Sequence, residues 1–345
     1  MTLMTSTVDR YLEKRPIDVP PDGWVDRAVA RPRDCPLPLS IFHQRWWLDI
    51  ATEDRWSAAR VVHGNQTLGE MPYYIARKGV WRISPLPPLT RSLGPLIRSM
   101  GLDPVQELRH RLRVTSQLIE QMPQFDCFSQ VFDYHVNDAL AFALHGFMVF
   151  ARYTFQISPA CTVADAWARM HCKTRNAIRS AQRSNEVRLI DGASEFVRFY
   201  EANLASRSRA NAYGTTVMSE LVHAFLDRGA GRVLGAYDRG RLAGAIALVW
   251  DGRTMYYLLS TRTPDAHYGT ISLLLWAAIQ DAIGRKLTFD FDGFAGVSTF
   301  NFLNGFGGTT RQRLGVERVG TMYSIARTLK RRIAEKTGQC FAPNL

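Results

Sequence analysis

Asp290 and Asp292 alternate with Phe289 and Phe291 in the run F-D-F-D-G, so in a strand the rings take one face and the carboxylates the other. Carboxylates at a cleft edge orient or deprotonate an attacking amine once burial raises their pKa, and the plainer alternative is that they cap the next turn or pair with arginines. His267 and Tyr268 stand just before a helical segment, the first a base suited to neutral pH and the second a hydroxyl donor. Lys173, Arg175 and Arg179 recur on one helical arc, where they form either a phosphate clamp or a solvated face. Arg207 and Tyr213 belong to an arginine- and tyrosine-rich loop over 204–214, suited to the anionic part of an acceptor or simply to the surface. Metal chemistry is not expected. The five cysteines form no C-x-x-C, and the eight histidines form neither H-x-x-x-H nor H-E-x-x-H.

These residues need a scaffold, and the composition bounds it. A chain of 345 residues suggests about two domains. Hydrophobic residues at 46% and charged ones at 21% exclude a disordered chain. The longest apolar stretches, such as 243–250, fall far short of the ~20 residues a bilayer span needs, and the first residues carry no apolar core of a secretory signal. With scattered cysteines as free thiols, the expectation is a cytoplasmic protein without integral membrane insertion. The 43 Lys and Arg against 31 Asp and Glu leave +12, a charge that attracts polyanions: nucleic acid, CoA, nucleotide-sugars or anionic lipid.

Residues 1–37 are rich in Pro, Arg and Asp without periodicity and read as an irregular arm. Over 40–50 a short helix follows, with Ser40 as its cap and Phe42, Trp46, Trp47 and Ile50 inward. Strands are expected at 56–63, 70–76 and 80–84, then a shaped proline-rich loop at 85–95. The helix over 103–122 has Asp103 as cap, Pro104 at its first position, and Val105, Leu108, Leu112, Leu118 and Ile119 along one side. A strand at 125–132 closes this unit. The plan then recurs: strands at 232–237, 242–250 and 254–260, a loop at 261–270, a helix at 271–283 and a strand at 287–291. Between the two lies one amphipathic helix over 163–183, capped by Thr162 with Asp165 in its first turn. A basic helix over 325–336 carries the stripe Ile325, Leu329 and Ile333, expected to pack on the domain, with an anionic membrane surface as the alternative. The aromatics Trp46, Trp47, Trp167 and Trp276 lie on apolar helix faces and read as core.

Four stretches resemble a known family: S-I-F-H-Q-R-W-W-L-D-I at 40–50, K-T-R-N-A-I-R at 173–179, the strands over 231–260, and F-D-F-D-G followed by F-N-F-L-N-G-F-G-G within 289–308. Taken in order, they look like the GNAT superfamily in tandem, and more narrowly the FemAB-like peptidyltransferases and the related acetyltransferase-6 domain, over about residues 38–319. The resemblance implies an α+β fold of two tandem GNAT-like domains, with mixed, mostly antiparallel sheets flanked by helices in one compact unit. The corresponding division is 1–37 arm, 38–160 first domain, 161–319 second domain with the linking basic helix, and 320–345 C-terminal helix and tail. The activity implied is acyl or aminoacyl transfer from an activated donor to an amine, without metal, covalent intermediate or tightly bound cofactor.

Family members take acyl-CoA or aminoacyl-tRNA as donor, and their acceptors are small molecules or cell-envelope precursors. At 263–270 the phosphate-loop position reads T-P-D-A-H-Y-G-T, with one glycine and one aspartate. Where Fem-type proteins often have F-K-x-x-F, Phe302 is followed here by Leu303. If CoA is the donor, its pyrophosphate must be held by side chains, and Arg262 at the loop entrance is the expected one. The resemblance leaves the donor open. The alternative from another class is a non-catalytic tandem-GNAT protein that binds RNA or an anionic surface.

Overall fold

The computed structural model describes residues 40–294 and 296–336, with the side chains of 331–336 left undescribed. The expected arm over 1–37, the tail beyond 336, and Cys35 and Cys340 lie outside the described residues. After a single turn at Ile41–His43, the first half runs α1 Arg45–Thr52, β1 Trp56–His63, β2 Gln66–Tyr74, β3 Ala76–Lys78, β4 Trp81–Ser84, β5 Leu96–Ile97, α2 Pro104–Gln121, β6 Cys127–Val131, α3 Leu140–Leu144 and β7 Met148–Ile157. The second half runs α4 Val163–Arg169, α5 Cys172–Gln182, β8 Asn185–Leu189, α6 Ala193–Ala205, α7 Thr215–Asp227, β9 Gly231–Asp238, β10 Arg241–Trp250, β11 Thr254–Arg262, α8 Thr270–Gly284, β12 Thr288–Asp290, α9 Val297–Asn304, β13 Thr309–Val319 and α10 Thr321–Lys336.

Most strands join one long sheet in the order β3-β4-β6-β13-β7-β12-β11-β10-β9-β8, while β1, β2 and β5 form a small antiparallel sheet beside it. The two halves exchange strands. β7, from the first half, lies between β13 and β12, and β13, from the second, lies between β6 and β7. The β7–β13 seam is antiparallel from Thr309 opposite Gln156 to Glu317 opposite Met148. Parallel pairing occurs at β4–β6 and β11–β12. The α+β class and the doubled plan are thus as expected, and the seam welds the two halves into one sheet.

Helices cover both faces. One core packs α5 and α8 with β12, including Ile178, Leu274, Phe289 and Phe306. On the opposite face Phe42, Trp47, Phe196 and Phe225 join Tyr256, and a third core gathers Val114, Leu118, Phe128 and Phe142 in the first half. Trp47 and Phe42 are wholly buried as expected, but Ser40 gives no side-chain cap and instead bonds the His43 ring at 2.8 Å.

Three further expectations are corrected. The helix over 163–183 is broken at Met170, whose backbone is extended. Thr162 and Asp165 do form a capping box, but His171 starts a second helix by accepting from the Lys173 N–H. The break is held by Arg175, whose guanidinium donates to the carbonyls of Trp167, Ala168 and Met170, the groups a helix end leaves unpaired. Gly305 accepts from the His171 N–H, and Gly307 presses so near that a Cβ would stand 2.5 Å from the Arg169 oxygen.

In α2, Asp103 caps and Pro104 leads as expected, yet Val105 and Leu108 are exposed and the buried side is His110, Val114, Thr115, Leu118 and Ile119. The helix is pinned where Val114 fills the space over Gly69, so its second half sets the inward arc. Helix α10, finally, does not pack its apolar stripe inward: Ile325 is 51% and Leu329 55% exposed.

Candidate functional site

Strands β11 and β12 separate like the arms of a V. Their parallel pairing covers Thr254–Tyr256 against Thr288–Asp290, after which β11 runs on to Arg262 while the chain turns off at Asp292. Asp292 sits in the left-handed region (φ 66°), which aspartate tolerates better than most residues, and Gly293 follows with φ 90°. Opposite β10 the register slips at Leu258, leaving it as a bulged residue. Bulges re-aim the backbone and often stand next to sites. Along the side of this stretch that β12 leaves open, the Leu258 carbonyl accepts from Arg91 (2.5 Å) and the Arg262 carbonyl from Arg207 (2.7 Å). At ~3.3 Å per residue the two carbonyls are roughly 13 Å apart. The gap therefore has an inner end at Leu258 and an outer end at Arg262.

The inner end is an ion cluster. Asp290 is wholly buried and its oxygens are saturated: Thr154 and the Asp292 N–H donate to one at 2.7 Å each, and Gln156 (2.7 Å) and Arg313 (2.9 Å) to the other. Asp292, its side chain 6% exposed, lies between Arg91 at 2.5 Å and Arg313 at 3.2 Å. Burial pushes its carboxyl up to about 6 against the pull of Arg91 and Arg313. The same two carboxylates keep Arg313 firmly cationic despite its burial. Arg91 lies over the Tyr213 ring at 5.9 Å, and burial lifts the nearby Tyr200 and Tyr257 hydroxyls to about 12.

A second branch joins from the first half. Asp133 accepts from His135 (2.6 Å) and Tyr256 (3.4 Å), and Tyr256 also reaches Asp251, which holds the N–H groups of Ile41, Arg253 and Thr254. Burial alone would raise the Asp133 carboxyl, but the His135 bonds bring it below its ordinary value. Charges this dry persist only when paired and hydrogen-bonded, which is the condition met here.

The outer end is looser. Arg262 donates to the Ala266 carbonyl at 3.3 Å, and Arg207 is exposed apart from its bond to the Arg262 carbonyl. His267 has both nitrogens engaged: Nδ1 accepts from the Gly269 N–H (3.0 Å), and Nε2 meets the Ser180 hydroxyl (3.1 Å). Accepting at Nδ1 places the ring proton on Nε2, so His267 ties the start of α8 to α5. Gly269 completes that contact, since a Cβ there would stand 2.2 Å from the Ala177 oxygen. Tyr268 is exposed and stacks on the His267 ring at 4.4 Å.

The residues singled out by sequence thus fall in three places. Asp292 and Tyr213 meet at the inner end through Arg91, with Asp290 joined to Asp292 through Arg313 and the Asp292 N–H, while Arg207, Arg262, His267 and Tyr268 gather at the outer end. Lys173, Arg175 and Arg179 sit on the α4–α5 elbow, where Lys173 is exposed, Arg175 closes the helix end and Arg179 covers the Trp167 ring at 5.3 Å. Sequence reasoning missed Arg91, Arg313, Asp133 and Tyr256. Their one local sign was Arg91 inside a loop whose prolines marked it as shaped. Nothing in T-T-R-Q-R-L-G-V set Arg313 apart from Arg311. Among the described residues no group of three or more His, Cys, Asp or Glu is placed to hold a metal ion.

Residues 168–301 match the family model of the acetyltransferase (GNAT) domain. No curated protein matches the sequence. Among solved structures, FemX superposes with a TM-score of 0.61 at 10% identity, over 81% of this chain and 93% of that one. The C-terminal domain of a putative lysylphosphatidylglycerol synthetase from Agrobacterium fabrum gives 0.51 at 13% identity, over 82% and 90%. A conserved protein of unknown function from Bacteroides thetaiotaomicron gives 0.53 at 10%, over 80% and 88%. At such identities the likeness is one of fold.

Proposed function

We propose, for a chain that has the FemAB-like tandem-GNAT fold and carries a GNAT acetyltransferase domain over 168–301, that the β11–β12 gap transfers an acyl or aminoacyl group from an activated donor to an amine by direct attack. The observation that supports this most is the stretch of β11 left open on its β12 side, lying beside the buried carboxylate of Asp292. The donor lies along that stretch with its carbonyl toward the inner end, where backbone N–H groups freed from the ladder stabilise the tetrahedral oxyanion. The acceptor nitrogen bonds to the carbonyl carbon, the C–S or C–O bond to the carrier breaks, and the proton of the nitrogen passes to Asp292 and from it to the departing sulfur or oxygen. A carboxyl near pH 6 is ionised at neutral pH and still basic enough for that step. Asp290, saturated by four donors, acts through Asp292 by holding its backbone N–H.

At the outer end Arg262 and Arg207 receive the anionic part of the donor, and His267 fixes the loop between them and α8. Tyr213 and Arg91 face the acceptor at the inner end, and Lys173 and Arg179 extend the positive surface. Acyl-CoA is the first donor to test and aminoacyl-tRNA the second. A small amine or a cell-envelope precursor bearing one is the acceptor class. Calorimetric titration with an acyl-CoA thioester is expected to show binding that Arg262→Gln weakens about tenfold, less so in added salt. Equal affinity in parent and variant would sink the role of Arg262. With no CoA ester bound by the parent, donor use passes to aminoacyl-tRNA, tested by its deacylation.

A further inference from the structure

Helix α10 turns outward the very stripe that its sequence builds. At about 100° per residue, Met322, Ile325 and Leu329 share an arc of roughly 60°, and Tyr323 points about 130° away from its centre. Tyr323 is the buried anchor, its ring edge-on to Trp81 at 5.5 Å, and Arg327 reaches Glu317 at 3.4 Å from the same side. The three apolar side chains are left 67%, 51% and 55% exposed. Through Trp81 the helix adjoins the β3–β4 hairpin, where Lys78 pairs across from Trp81. Val80 at the tip is 84% exposed, and Arg77 and Lys78 are exposed beside it. The hairpin thus sets Val80 beside two exposed cations, and the exposed α10 stripe lies on the helix that packs against it, on a chain carrying +12.

The geometry points to an anionic lipid surface as the occupant of this face, with the α10 stripe and Val80 entering the headgroup boundary and Arg77 and Lys78 meeting lipid phosphates. Charge complementarity selects this occupant. A second copy of the chain would bring cations against cations, and a nucleic acid would leave the aliphatic stripe unused. The inference stands apart from the transfer reaction proposed above, and its test needs no donor or acceptor.

The full chain is sedimented with vesicles of phosphatidylcholine alone and of phosphatidylcholine with phosphatidylglycerol at seven to three. Binding is expected to the anionic vesicles only, falling at least tenfold in the double variant Ile325→Ser/Leu329→Ser and severalfold in Arg77→Gln/Lys78→Gln. Both variants change exposed side chains and are expected to melt with the parent. A separate Val80→Ser variant, on the other element, is expected to weaken the same binding. The proposal is overturned by any of four results: no binding to anionic vesicles, equal binding to uncharged ones, unchanged binding in the serine double variant, or self-association that this variant abolishes while vesicles go unbound.

Discussion

At the inner end of the β11 gap, Asp290, Asp292 and Arg313 hold one another out of water with Arg91 at their margin, whereas at the outer end Arg207 and Arg262 each give a carbonyl one hydrogen bond and stay open to solvent. Both ends are built from arginines reaching β11, yet they answer to different costs. An inner charge deprived of its partner is stranded in a dry site; an outer one is rehydrated. The inner end is therefore bound to folding and the outer end is open to tuning by a ligand. Each substitution below breaks or sharpens that contrast.

Asp290→Ala leaves the Arg313 guanidinium short of a carboxylate and should cost about 3–5 kcal/mol in denaturant unfolding. A loss below about 1 kcal/mol would mean that the cluster does not carry the inner end. Asp292→Asn keeps a residue that accepts the left-handed backbone and should lower turnover ~10²-fold with donor affinity little changed. The rate of the parent should fall below pH about 6 as Asp292 takes up its proton. Because its folded pKa is raised, the folded state binds the extra proton between about 4 and 6, so this group favours folding at low pH and that contribution is lost as pH rises through about 6. The variant should show a flatter stability profile across that window.

Next in size, Arg175→Ala should cost about 1.5–3 kcal/mol in stability, since three carbonyls at the elbow lose a charged donor. Arg262→Gln should weaken donor binding about tenfold, close to 1.4 kcal/mol, with an unchanged melting temperature. Lys173→Ala, at the exposed start of α5, should move stability by less than about 0.5 kcal/mol, and any loss would appear in the affinity of an anionic substrate.

Much of this was legible in the chain. Alternation placed Asp290 and Asp292 on the face opposite Phe289 and Phe291, and the strands 232–237, 242–250 and 254–260 fall inside β9, β10 and β11. What local pattern cannot express is which face a distant strand will cover. Thr154, Gln156 and Arg313 close over the carboxylate side of β12, so Asp290 is as dry as the phenylalanines and became a buried anchor. The break at Met170 escaped for a related reason: apolar periodicity continues from Trp167 to Ile178, and only the cap at His171 and the reach of Arg175 mark the two ends. The outward stripe of α10 escaped because amphipathicity names an apolar face without naming what will meet it.

The exchange of β7 and β13 also sets the order of events during synthesis. Arg313, the last member of the inner cluster to be made, arrives on a strand that must slide between β6 and β7, both completed more than 150 residues earlier. Until then Asp290 and Asp292 have no cation from that side, and β7 has an open edge. Neither half can finish alone, so assembly of the gap is a late and cooperative act, with the large sequence separation that slows folding. A chain cut after residue 160 would yield two pieces that each lack an inner strand, competent only when they meet.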